Sequence, residues 1–143
     1  MSSQRFEDVE VWQKAHRLVL DVYCITKRFP REELLGLTSQ FRRAAVSIPA
    51  NFAEGFVKRG RAVKLRFYNI AQGSLEECRY YCRLAKDLEY GDTEVMAGHI
   101  DEISRMFEAY CRTIAATHFR SWSLILAALS AFSTGSWLLA TGY

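Results

Sequence analysis

At 143 residues, half of them apolar and about a quarter charged, the chain has the balance of one globular domain, which excludes a disordered or fibrous class. A domain of this length buries roughly two thirds of its unfolded surface. The net charge of +3 is ordinary but unevenly spread: residues 36–66 hold seven bases (Arg42, Arg43, Lys58, Arg59, Arg61, Lys64, Arg66) against Glu54 alone, so the remainder is net acidic. Polarity of this kind favours an oriented anionic partner; a solvated basic loop is the simpler alternative.

Residues 1–8 are polar and lack the apolar run of a secretory signal, which predicts a cytoplasmic protein with reduced thiols. Helix one is predicted from about Asp8, a candidate N-cap, to Phe29, with Trp12, Ala15, Val19, Val22, Ile25 and Phe29 inward. Pro30 stops it. Arg31 to Leu35 can form one turn before Gly36 reverses the chain.

Helix two is the element the rest must cover. Leu37, Phe41, Ala45, Ile48, Phe52 and Phe56 recur every three or four residues and draw one apolar stripe. Arg43, Ser47, Asn51, Glu54 and Lys58 form a second, polar stripe. Pro49 interrupts neither, although an interior proline costs about 3 kcal/mol; packing must offset it. Asn51 is placed to answer a carbonyl freed by Pro49, nominally that of Ala45. Thr38 or Ser39 is the expected cap, and Gly60 suits a left-handed C-terminal position.

Helix three is predicted from about Ala62 to Tyr90. One stripe holds Ala71, Leu75, Cys78, Cys82 and Ala85; another holds Ile70, Glu77, Tyr81, Leu84 and Leu88. Two such faces imply cover from two sides, the second from a neighbouring subunit, and Gly73 would let another backbone come close. Gly91 ends the helix, and Asp92 or Thr93 caps helix four. Its stripe runs Met96, Ile100, Ile103, Phe107, Tyr110, Ile114, ending near Thr117. Residues 1–120 are thus the bundle. Residues 121–143 carry no charge and form an apolar C-terminal extension with three readings: a fifth helix, a tail anchor or an unstructured extension.

The run Ser47-Ile48-Pro49-Ala50-Asn51 followed by Ala53-Glu54-Gly55 resembles the signature of proteins encoded in 23S ribosomal RNA intervening sequences. The same family is matched by Phe6-Glu7-Asp8, Val11-Trp12-Gln13-Lys14-Ala15, Gly36-Leu37-Thr38-Ser39-Gln40 and Gly73-Ser74-Leu75-Glu76-Glu77. The matches cover about residues 6–117. The resemblance implies an all-α, antiparallel up-down four-helix bundle assembling as a homopentamer. A related bundle, the accessory protein of diversity-generating retroelements, binds nucleic acid and a reverse transcriptase.

No catalytic constellation is present. The histidines, His16, His99 and His118, lie on different predicted elements or at an end, and Ser47 has no neighbouring base. No nucleophile elbow, phosphate-binding loop or metalloprotease motif occurs. Glu54 is followed at the third position by Val57 and Glu76 by Arg79, so the paired E-x-x-H of carboxylate-bridged metal bundles is missing. Cys78 and Cys82 sit one turn apart, without the companions a metal needs; neither metal nor cofactor is expected. Arg43, Ser47, Pro49, Asn51 and Glu54 read as a network that fixes helix register and assembly.

Arg42, Lys58, Arg59, Arg61, Lys64 and Arg66 read as a nucleic-acid face, with arginine forks and lysine point charges on phosphates. Phe67 and Tyr68 lie close enough in sequence to stack on bases, and core packing explains them as well. The expected function is therefore binding of structured RNA, or of an RNA-protein complex such as a reverse transcriptase complex, without enzymatic activity. The alternative is a scaffold that docks its tail on a membrane or protein partner.

Overall fold

A computed structural model describes residues 5–133 in backbone and 5–116 in side chain. Four α-helices follow in order: α1 (Glu10–Thr26), α2 (Leu37–Val57), α3 (Arg61–Asp87) and α4 (Glu94–Ser133). Short 3-10 turns at Phe6–Asp8 and Arg31–Glu33 precede α1 and α2. The described residues contain no strand, and the architecture is the expected all-α four-helix bundle. Residues up to Cys111 form one compact unit and those from Arg112 a second. In the first unit α2 packs on both α1 and α3, as its central role requires.

The stripes explain the packing. On α2, Leu37, Phe41, Ala45, Ile48 and Phe52 are buried, with Phe56 half-covered. They meet Val11, Ala15, Leu18, Val19 and Val22 of α1, the Ala71-Leu75-Cys78-Cys82-Ala85 stripe of α3, and Met96, Ile100, Ile103 and Phe107 of α4 in one core. Each large side chain withdrawn from water contributes about 1.5–3 kcal/mol. Phe52 is its aromatic hub, with ring centroids 5.2 Å from Tyr68, 5.6 Å from Phe107 and 5.3 Å from Tyr110. The second stripe of α3 is left uncovered by the described residues: Ile70 and Leu88 are exposed, and Tyr81 and Leu84 half-buried.

Gly55 of α2 lies directly against the Phe67 and Tyr68 side chains of α3. A Cβ there would lie 2.7 Å from Tyr68 Cε1 and 3.1 Å from Phe67 Cβ, so only glycine fits. Gly73 has the opposite surroundings, with nothing within 4 Å of its Cβ position. The close backbone approach expected at Gly73 is not met among the described residues, and at Gly55 it is the Phe67 and Tyr68 side chains that come close.

Helix ends depart from expectation where a distant group outbids the local one. α1 begins at Glu10 behind Val9, and Asp8 does not cap it. At α2 the cap is Glu33: its Oε2 accepts from the Leu37 amide at 2.9 Å, while Thr38 is already inside the helix and buried. Gly60 has φ −78°, not a left-handed value, because it opens α3. Among the described residues the left-handed one is Glu89 (φ 60°). Around it the Tyr90 amide reaches the Ala85 carbonyl at 2.9 Å and the Glu89 amide the Lys86 carbonyl at 3.0 Å, a Schellman closure lying ahead of Gly91.

At the start of α4, Asp92 Oδ1 accepts from the Glu94 amide at 3.0 Å. Thr93 instead donates its hydroxyl to the Cys82 carbonyl of α3 at 2.7 Å. α4 runs past the expected stop at Thr117 because no glycine or proline intervenes between Gly98 and Gly135. The side chains of residues 121–143, on which the three readings of the tail depend, lie outside the described residues. Among the described residues no helix is long and apolar enough to cross a membrane.

Candidate functional site

The turn from α2 to α3, residues 58–60, gathers the strongest positive charge. Arg59, Arg61 and Arg66 are exposed, and Arg59 and Arg66 carry no side-chain partner among the described residues. The two lysines beside them are held. Lys58 lies 3.6 Å from Glu54 Oε1 and 5.2 Å above the Phe67 ring centroid. Lys64 donates to the Phe56 carbonyl at 2.6 Å and the Gly55 carbonyl at 3.2 Å, with its ammonium 5.7 Å from the Phe56 ring. It closes the negative end of α2, and burial pushes its pKa down. The ammonium at this helix end supplies the closure expected of Gly60.

Arg42 does not belong to this group. It stands sixteen residues before Lys58 on the same helix, about 24 Å along the axis at 1.5 Å per residue. Its Nε donates to Thr26 Oγ1 at 2.8 Å and its guanidinium lies 4.7 Å from the Tyr23 ring centroid. It therefore fastens α2 to α1. The segment that reads as one basic run divides between two ends of a helix.

The polar stripe of α2 also divides. Asn51 Nδ2 donates to the Ser47 carbonyl at 2.8 Å and to Ser47 Oγ at 2.9 Å. The carbonyl it meets is Ser47, one turn back, rather than Ala45, which lies beyond its reach. Ser74 Oγ of α3 continues the chain to Ser47 Oγ at 2.9 Å. Ser47 and Asn51 thus join α2 to α3 through a residue from the Gly73-Ser74 match whose role sequence spacing could not show. Glu54 turns to Lys58. Arg43 is exposed, near enough to Tyr81 to oppose the upward shift of its pKa. Pro49 is buried, and Trp12 Nε1 of α1 donates to its carbonyl at 3.2 Å; Trp12 of the Val11–Ala15 match is the residue that holds the proline turn.

The rings expected near the basic turn are not available as platforms. Tyr68 is wholly buried, and burial raises the pKa of its hydroxyl, which has no hydrogen bond of ordinary geometry. Phe67 is half-buried under Lys58.

Elsewhere, the four cysteines are free thiols. Burial pushes Cys82 up to about 12 and raises Cys78 as well, so both are weak nucleophiles at neutral pH. No group of three or more histidine, cysteine or acidic side chains among the described residues can hold a metal. His99 lies 3.7 Å from Asp21 at the α1–α4 groove, and His16 stacks on Trp12 at 5.1 Å.

No curated protein sequence matches the chain. A family model, described as 23S rRNA-intervening sequence protein, matches residues 7–109. That span contains the Trp12–Pro49 contact, the Ser47-Asn51-Ser74 network, the Gly55–Tyr68 approach and the whole basic turn. The chain belongs to the 23S rRNA-intervening sequence protein family.

Proposed function

We propose that the chain is a non-enzymatic, self-associating bundle that binds nucleic acid, RNA foremost, through the turn between α2 and α3. One observation carries this reading: Arg59 and Arg66 are exposed without a partner among the described residues, beside exposed Arg61. Guanidiniums left unneutralised suit the forked geometry of phosphate oxygens. Lys58 adds charge from the side, while Lys64 shapes the turn.

Self-association is supported by the uncovered face of α3, where Ile70, Tyr80 and Leu88 are 44%, 60% and 44% exposed. A ring, with five copies as the family resemblance implies, would repeat the basic turn and add weak phosphate contacts into useful avidity. The partner in this reading is structured RNA, alone or within a reverse transcriptase complex, and the reduced thiols suit the cytoplasm.

The test is RNA binding by fluorescence anisotropy with the parent and an Arg59→Ala/Arg61→Ala/Arg66→Ala variant. The parent should bind more weakly as salt rises, and the variant should lose at least tenfold in affinity at low salt. Equal affinity of the two proteins at low and high salt would sink the proposal.

A second reading, docking on a membrane or protein through residues 121–143, is favoured by the absence of charge in that segment. Fractionation with and without those residues separates the two, an unchanged soluble fraction speaking against anchoring.

A further inference from the structure

We infer that the basic turn grips the phosphate backbone of paired strands and does not read the splayed bases of a single strand; this rests on the nucleic-acid reading above. Single-strand binders combine a cationic groove with exposed aromatic faces on which successive bases stack. Here the cations and the rings are arranged against that use. The Lys58 ammonium occupies a face of Phe67 and the Lys64 ammonium lies over Phe56. Tyr68 is enclosed by Phe52, Phe107 and Tyr110 and has no exposed surface.

What the turn does present to solvent is aliphatic and cationic: Val57 at 68% and Val63 at 45% exposure, with Arg59, Arg61 and Arg66. The exposed phenylalanine, tyrosine and tryptophan rings among the described residues are those of Tyr23 and Tyr80, and the exposed His16 is stacked on Trp12. Tyr23 lies under Arg42, at the far end of α2. Tyr80 stands nineteen residues after Arg61 on α3, about 28 Å along that helix. A surface with forks for phosphate, whose nearest rings are half-buried and capped by ammonium groups, makes backbone contacts, which carry little base preference. Paired RNA, which displays phosphates and 2′-hydroxyls while hiding its bases, is the matching ligand class.

The deciding experiment compares a short RNA duplex of mixed sequence with oligo(A) and oligo(U) strands of equal length, by anisotropy at one salt concentration. The parent should bind the duplex at least as tightly as either single strand and should not separate oligo(A) from oligo(U). Phe67→Leu should leave the duplex affinity within about twofold. Lys58→Ala, which uncovers the Phe67 face, should raise the ratio of oligo(A) to duplex affinity severalfold. Tighter binding of oligo(A) than duplex by the parent, lost in Phe67→Leu, would overturn the inference while leaving nucleic-acid binding intact. Failure of the parent to bind any of the three would overturn both.

Discussion

The two ends of α3 treat positive charge in opposite ways. Toward its C-terminus every lysine and arginine from Arg79 onward meets an acid: Arg79 pairs with Glu76 and with Asp101 of α4, Arg83 with Asp87 at 2.9 Å, and Lys86 with Glu94 at 2.6 Å. At its N-terminus Arg59 and Arg66 project without a side-chain partner among the described residues, and the nearest acid in sequence, Glu54, already faces Lys58. Exposed ion pairs add little stability, so the contrast is not about which end holds the fold together. It concerns the field each end shows to a partner: near neutral at one, strongly positive at the other.

Beneath the basic end lies the densest aromatic packing, and the sharpest way to break the contrast is from below. Phe52→Ala, which removes the ring shared by Tyr68, Phe107 and Tyr110, should cost about 3–5 kcal/mol in denaturant unfolding. Gly55→Ala forces a methyl to within 2.7 Å of Tyr68. It should cost about 1–3 kcal/mol, as overpacking does, despite alanine's better helix propensity. A stabilised Gly55→Ala protein would refute the close approach of α2 to α3.

The neutral end holds the buried thiols, and these set an alkaline limit. Folding keeps Cys78 and Cys82 protonated, so the unfolded chain releases protons that the folded chain retains. Their contribution is fully present below pH 9.0, the ordinary thiol value, and declines as pH rises toward the folded Cys82 value of about 12. The melting temperature should therefore fall between pH 8 and pH 10.5, and less steeply in a Cys78→Ala/Cys82→Ala variant measured against its own neutral-pH value. At the same end Glu89→Gly should raise stability by about 1 kcal/mol, since glycine adopts the left-handed backbone without the side-chain penalty.

Periodicity made the core legible. The buried face of α2 is the predicted stripe down to Phe52, and the inner face of α3 is the predicted set from Ala71 to Ala85. Spacing within a helix is a local property, and burial follows it directly. What escaped sequence reasoning depends on groups that meet only after folding. Glu33 displaces Thr38 as the cap of α2, and Thr93 turns its hydroxyl to α3 instead of its own helix. Lys64 spends its ammonium on the end of α2. Arg42 was grouped with Lys58 because both lie in one charge run; helix length separates them, and Thr26 and Tyr23 claim Arg42. The basic turn itself was visible as a charge imbalance, whereas the division of its cations into held lysines and exposed arginines was not.

The contrast between the ends admits one direct test. Two charge-matched variants, Arg59→Ala/Arg61→Ala/Arg66→Ala and Arg79→Ala/Arg83→Ala/Lys86→Ala, lower the net charge by the same amount. Their affinities for one RNA duplex are compared across a salt series. A local phosphate-binding face predicts a shallower salt slope and at least tenfold weaker low-salt binding for the first variant, with the second close to the parent. Equal losses in both would mean that net charge alone, and not the turn between α2 and α3, attracts nucleic acid.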